Sequence, residues 1–384
     1  MDNAFDSITI DQLQKQGSLK WTHFAPKIGA FVAEMDYGTA PVVTEALRAA
    51  VDSAQFGYLP QHLADDLAEA TAVWHRESYG WNVDPQRVHY ASDVLNALAV
   101  TIEHYSKPGS PVIVLTPSYM PFLRVPKECE REIIEVPMPV RDGRYEMDLE
   151  AIDAAFKAGA NLFVLCNPFN PVGRVFSRDE LLALSEVVER NGGRVFSDEI
   201  HAPLVYKEHT HISYANLTPE TAAHTVTATS VSKAWNIPGL KCAQIILSND
   251  VDVETWQKGA QASRQSASTL GVIASIAAYR HGREWLDSVI EYLDGNRRTL
   301  HALLAEHIPE IVCTVPEGTY IAWLDATALG LDNASKFFAN NADVVLTDGA
   351  SCGQGYDNYM RFIYATPRPV LVEAVTRMAA ALRA

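Results

Sequence analysis

Between residues 112 and 247 the chain alternates short apolar, β-branched runs with longer stretches whose apolar positions recur at helical spacing. The runs cover 112–115, 162–165, 194–197, 225–229 and 244–247. They are almost continuously hydrophobic, as strands buried on both faces of a largely parallel sheet are, and helical segments such as 178–190 lie between some of them. Upstream, Pro41 opens a helix with apolar positions at Val42, Val43, Ala46, Leu47 and Ala50, and 63–79 reads as another. The stretch 90–98 reads as a helix start with Ser92 or Asp93 as N-cap. Phe56-Gly57-Tyr58 is a short loop that by itself suggests only packing. Beyond about residue 250 the pattern is long amphipathic helix, as over 284–307, then a strand-like run at 317–324 and a helix over 369–383. The first forty residues read as irregular, and no repeat, low-complexity tract or flexible linker divides the chain. The pattern predicts an α/β protein with a large domain over 45–275 and a smaller α+β domain built from both ends, 1–44 and 276–384.

In open α/β sheets ligands sit beyond the carboxyl ends of the strands, so the residues that follow each run carry the information about chemistry. They are Thr116-Pro117-Ser118-Tyr119, Cys166-Asn167-Pro168-Phe169-Asn170-Pro171, Asp198-Glu199-Ile200-His201 and Ser230-Val231-Ser232-Lys233. Taken singly, Lys233 reads as a solvated charge, Asp198 as a cap, Asn170 as an Asx turn and Tyr119 as core packing. Together they bring an aromatic ring, an amide, a carboxylate and an amine to one sheet edge. A lysine partly removed from water there has the lowered pKa that condensation with an aldehyde requires.

Composition narrows the classes. The 384 residues are 48% hydrophobic and 20% charged, in the range of ordinary globular proteins. A formal net charge of -16 argues against nucleic acid or an anionic membrane as a partner. No apolar run approaches a membrane span, and Met1-Asp2-Asn3-Ala4-Phe5-Asp6 is acidic where a signal peptide would be basic. Cys129, Cys166, Cys242, Cys313 and Cys352 are odd in number and widely spaced, as free thiols in a reducing compartment are, and the expected location is cytoplasmic. His209-Thr210-His211 lacks further ligands at metal-binding spacing, so no metal site is expected. Gly353-Gln354-Gly355 lacks the third glycine of a dinucleotide fingerprint.

The sheet-edge set matches the needs of pyridoxal 5'-phosphate (PLP). Lys233 supplies an amine for the aldehyde, and Asp198 a carboxylate to keep the pyridine nitrogen protonated. Asn170 and His201 are placed to fix the phenolic oxygen, and Tyr119 to lie flat on the ring. Val94 and Leu95 at a helix start, with Ser230, Ser232 and Lys241, offer N–H, hydroxyl and cationic partners for the phosphate.

These residues resemble the fold-type I PLP enzymes of aminotransferase class I and II. Asn167-Pro168-Phe169-Asn170-Pro171-Val172-Gly173 is similar to their N-P-x-N-P-T-G loop, Asp198-Glu199-Ile200-His201 to D-E-[IV]-[HY], and Ser230-Val231-Ser232-Lys233 to S-x-S-K. Lys241, eight residues after Lys233, stands where that family has a basic phosphate ligand, and Arg361 where it has the arginine that grips the substrate α-carboxylate. Within the family the chain resembles the cystathionine β-lyase-like carbon–sulfur lyases, through Gly17-Ser18-Leu19-Lys20-Trp21, Ala33-Glu34-Met35-Asp36, Thr116-Pro117-Ser118-Tyr119-Met120-Pro121-Phe122, His201 and 317–325.

The resemblance implies an aspartate aminotransferase-like fold, PLP as cofactor, and Lys233, Asp198 and Tyr119 as the catalytic group. Arg361, Asn170 and Tyr119 become the substrate contacts. It implies α,β-elimination of a sulfur amino acid to thiol, pyruvate and ammonia, with Lys233 as the proton carrier. It also implies a homodimer with shared sites, in which Tyr58 of the Gly57-Tyr58 loop reaches the phosphate of the neighbouring subunit's cofactor. Departures at Phe169, Val172, Cys352 and the three residues after Arg361 bear on the substrate pocket and remove no cofactor ligand. Two alternatives stand beside the lyase: an aminotransferase, which shares every residue above, and a PLP-binding regulator acting through a protein partner.

Overall fold

The computed structural model describes residues 4–384. Met1, Asp2 and Asn3, part of the acidic N-terminal stretch and of the expected 1–44 segment, lie outside the described residues. Seven strands form the main sheet: β1 (Val88–Ala91), β2 (Val112–Thr116), β3 (Ile133–Pro137), β4 (Leu162–Cys166), β5 (Arg194–Asp198), β6 (Thr225–Thr229) and β7 (Ala243–Leu247). Their order is β1-β7-β6-β5-β4-β2-β3. The strands from β6 to β3 pair in parallel, and β7 runs antiparallel to both β6 and β1. Every residue of β2, β4, β6 and β7 is buried, which is why these segments are apolar or β-branched apart from Gln244, whose Oε1 accepts the Tyr279 hydroxyl.

Two strands of this sheet carry no such signal. The outermost, β3, is mostly half-exposed and holds Glu135 and Pro137, so its pattern is diluted in the way an edge strand's is. β1, at the opposite edge, runs Val-His-Tyr-Ala and merges in sequence with the helix start that follows it.

The smaller sheet comprises β8 (Val312–Cys313), β9 (Ile321–Asp325), β10 (Thr347–Asp348) and β11 (Tyr359–Ile363), antiparallel in the order β8-β9-β11-β10. Beside it, Ile28–Gly29 pairs in parallel with Val344–Val345, which ties the start of the chain to its last hundred residues. Residues 4–40 are more ordered than their composition suggests. A helix over Ile10–Gln16 is closed by a reciprocal cap between Thr9 and Gln12, and the short turn Leu19–Thr22 follows.

Two hydrophobic cores result. One fills both faces of the main sheet around Ile113, Val164, Phe196, Val226 and Ile245. The other joins Trp21, Tyr320, Leu324, Phe362 and Val375 with Val231, Ala234 and Trp235, the residues that flank Lys233. The lysine loop is therefore set in the second core. Trp235 is fully buried and its indole N–H donates to the Gly282 carbonyl at 3.0 Å.

Candidate active site

The carboxyl ends of β4, β5 and β6 lie side by side, with Cys166 opposite Asp198 and Asp198 opposite Ala228. The loops that leave these ends carry Asn170, His201 and Lys233 to one cavity of about 170 Å³. Helix α1 (Val94–His104) points its first turn at the same space. Its N-cap is Asp93, whose Oδ1 accepts the Asn96 N–H at 2.8 Å. Among the described residues no acceptor meets the N–H groups of Val94 and Leu95, which the geometry of a first helical turn leaves free.

Of the residues singled out in the sequence, Val94, Leu95, Tyr119, Asn170 and Asp198 line the cavity. His201, Ser232, Lys233 and Lys241 complete the set there. Arg361, on β11, does not line the cavity and borders it through Asn170: buried, it donates to Asn170 Oδ1 at 3.2 Å and to the Phe31 carbonyl at 3.0 Å.

Two residues are placed elsewhere. The Ser230 hydroxyl is buried and directed at the Cys242 carbonyl, 2.6 Å away, while it also accepts the Ser232 N–H at 3.1 Å; its bonds hold the turn, and it does not line the cavity. Tyr58 is fully exposed and does not line its own chain's cavity.

Residues the sequence reading passed over also meet here. Ala33 lines the cavity, and its carbonyl accepts from Lys233 Nζ at 3.0 Å and from the Tyr320 hydroxyl at 2.9 Å. Cys166, Ile200 and Pro238 complete the wall, and Asp93 Oδ2 pairs with Lys241 Nζ at 3.0 Å. Cys166 was discoverable as the residue that ends a buried run. Ala33 contributes a backbone oxygen from far away in sequence, which leaves no side-chain signal.

Burial dominates the electrostatics. It raises Asp198 to about 7, against the Ile200 N–H that bonds its Oδ1 at 3.0 Å. It lowers the Lys233 amine to about 8, with the Arg361 charge acting in the same direction. It lowers His201 to about 3, so the imidazole is neutral at physiological pH, and it raises the Tyr119 hydroxyl. A neutral or readily deprotonated amine beside a carboxyl group that exchanges its proton near neutrality is a pairing suited to carbonyl and proton-transfer chemistry.

The donor set fits PLP. His201 Nδ1 and Arg361 Nε are buried and without a hydrogen-bond partner among the described residues, and the free N–H groups of α1 with the Lys241 ammonium, paired here with Asp93, form an end suited to a phosphate. Asp198, a buried carboxyl in the same lining with no ion-pair partner among the described residues, suits a protonated ring nitrogen.

The model of the aminotransferase class I and II family matches residues 27–378. The chain belongs to that family. It is 38% identical to the cystathionine β-lyase of Corynebacterium glutamicum over 375 residues, 97% of this chain and 99% of that protein. Among solved structures, a Corynebacterium diphtheriae protein described as a PLP-dependent β-cystathionase superposes with a TM-score of 0.93 at 37% identity, covering 98% of each chain. The PLP-bound C-S lyase of Staphylococcus hominis superposes with a TM-score of 0.91 at 28% identity, covering 99% of each chain. As an aminotransferase class I and II member the chain has the aspartate aminotransferase-like fold that its motifs imply, and the family's cofactor is PLP.

Proposed function

We propose that this protein is a PLP-dependent carbon–sulfur β-lyase that converts a cysteine thioether and water to a thiol, pyruvate and ammonia. The observation that carries elimination over amino transfer is the full-length similarity to a cystathionine β-lyase, since the cavity chemistry serves both reactions. Bound in the cavity, PLP supplies an aldehyde for the substrate amine and a ring that stabilises negative charge next to the α-carbon.

The chain's own residues divide the remaining work. Lys233 would hold the cofactor through its amine, and its free Nζ would accept the substrate α-proton. A lysine with its pKa near 8 has enough neutral amine for this step. Asp198 holds a proton at the ring nitrogen. Arg361, held by Asn170, would bind the substrate α-carboxylate and so orient the α-carbon. Tyr119 covers the ring. The α-C–H bond and then the β-C–S bond break, the departing sulfur takes up a proton, and hydrolysis releases ammonia and pyruvate. Val94, Leu95, Ser232 and Lys241 hold the phosphate, and Ser230 supports their loop through Cys242.

The two units of the reading are a cofactor domain over 45–275 and a small domain from 1–44 with 276–384. The active form is a cytoplasmic homodimer in which the exposed Tyr58 of each subunit reaches the partner's phosphate. Five cysteines without a disulfide among the described residues are consistent with that compartment. No described helix is long and apolar enough to cross a membrane.

The reading is tested with purified protein and S-methyl-L-cysteine, with and without an added 2-oxo acid. Methanethiol and pyruvate without the oxo acid support the lyase; product formation that requires the oxo acid overturns it in favour of an aminotransferase.

A further inference from the structure

Asp93 lines the α1 end of the cavity, beside the free N–H groups of Val94 and Leu95, and the reaction gives its charge no task. Its backbone is extended, at φ -163° and ψ 172°, and its Oδ1 caps the helix through the Asn96 N–H. The helix start is held in turn from a distant segment. Asn96 Oδ1 accepts the Gln265 N–H at 2.8 Å, and the Ser92 hydroxyl donates to Gln265 Oε1 at 3.2 Å. One carboxylate oxygen of Asp93 is thus committed to the cap. The other, Oδ2, receives the Lys241 ammonium at 3.0 Å.

Lys241 is placed as firmly by its backbone. It lies in the left-handed region at φ 50°, at the end of the short turn Pro238–Leu240, and its carbonyl accepts the Ser268 N–H at 2.9 Å. Two fixed stretches of chain therefore bring the acid and the amine together, and both side chains line the cavity.

The charged groups of the lining are Asp93, Asp198, Lys233 and Lys241. With Lys233 serving the aldehyde and Asp198 the ring nitrogen, the phosphate is left to Lys241 and Asp93. A phosphate monoester carries about two negative charges near neutral pH. Lys241 attracts it, whereas Asp93 repels it and already holds the ammonium. The Asp93 side chain is 36% and the Lys241 side chain 59% exposed, and ion pairs at such exposure contribute little to stability, so a dianion at the helix start can draw the lysine away. Asp93 does not follow, because Oδ1 stays on the cap.

We propose that Asp93 is a built-in competitor for the phosphate of the cofactor: in the cofactor-free protein its carboxylate occupies Lys241, and PLP binds by taking that ammonium over. The inference rests on the phosphate being held by Val94, Leu95, Ser232 and Lys241, and it is the same for a lyase and an aminotransferase. Its consequence is a cofactor held less tightly than the rest of the donor set allows.

Asp93→Asn keeps an oxygen for the Asn96 N–H and removes the charge, and Asp93→Ser keeps a capping hydroxyl that is too short to reach Lys241; both are good N-caps, so the helix start is retained. Cofactor-free wild type, both variants and Lys241→Ala are titrated with PLP and with pyridoxal, which has the ring and aldehyde but no phosphate. Dissociation constants are read from the visible absorbance. Both Asp93 variants bind PLP about tenfold more tightly than the wild type and bind pyridoxal as the wild type does. The gain for PLP shrinks when Asp93→Asn is combined with Lys241→Ala. PLP affinity that is unchanged or weaker in either Asp93 variant overturns the competition. So does an equal gain for pyridoxal, because the effect then does not act on the phosphate, and so does a gain of full size in the double variant. Lys241→Ala that binds PLP as the wild type does overturns the placement of the phosphate, and the competition with it.

Discussion

Replacing Asp198 by Asn separates what the carboxyl group costs the fold from what it does for the reaction. Burial raises its pKa from 3.8 to about 7 in the cofactor-free protein. The unfolded chain ionises Asp198 near the ordinary carboxylate value, whereas the folded chain resists ionisation until near neutrality. Stability contributed by this group is thus fully present below about pH 4 and is lost as pH rises through about 7. A shift of roughly three units, at about 1.4 kcal/mol each, corresponds to about 4 kcal/mol. The Asn side chain still accepts the Ile200 N–H and carries no charge. Urea unfolding of the cofactor-free wild type and Asp198→Asn between pH 4 and pH 8 should show the variant gaining on the wild type by a few kcal/mol across that interval, while its loaded form loses activity on the order of a hundredfold or more. A stability difference that does not change with pH would refute the reasoning, because the buried carboxyl would then titrate as it does in the unfolded chain.

Other substitutions address the remaining parts of the site. Lys233→Ala should abolish turnover and the borohydride-sensitive visible absorbance of the loaded protein; retention of either removes Lys233 from its role. In the cofactor-free wild type, the rate at which an amine-selective reagent labels Lys233 should rise through about pH 8, well below the range of an exposed lysine, and mass spectrometry of the modified peptide reports it. Arg361→Lys exchanges a planar fork for a point charge and should raise KM about tenfold or more while cofactor affinity stays near that of the wild type, as read by spectral titration. Lys241→Ala should weaken cofactor binding and leave KM nearly unchanged, since its ammonium lies at the α1 end of the cavity, against Asp93.

The parts of this site that could be read in the sequence were those where a polar side chain ends a buried run or stands within a few residues of its end. Lys233, Asp198 and Asn170 each come after a run whose burial on both faces forces it to be apolar, so the change to a polar residue marks the sheet edge. Edge strands lack that contrast, and β1 and β3 were invisible for that reason. The direction of a hydroxyl depends on the turn that carries it: Ser230 and Ser232 look alike in sequence, yet one supports the Cys242 backbone and the other lines the cavity. Ala33 was legible only as part of a shared motif, because it meets Lys233 through its backbone carbonyl, which no side-chain pattern reports.

The central claim is that a substrate bound at Lys233 and Asp198 loses its β-sulfur instead of passing on its amine. Free thiol, pyruvate and ammonia followed together from L-cystathionine, with no oxo acid present, test it most directly. The account predicts that the three products appear in equal amounts through many turnovers in the wild type and none in Lys233→Ala. A single turnover that stops until an oxo acid is added, with no thiol released, would contradict it.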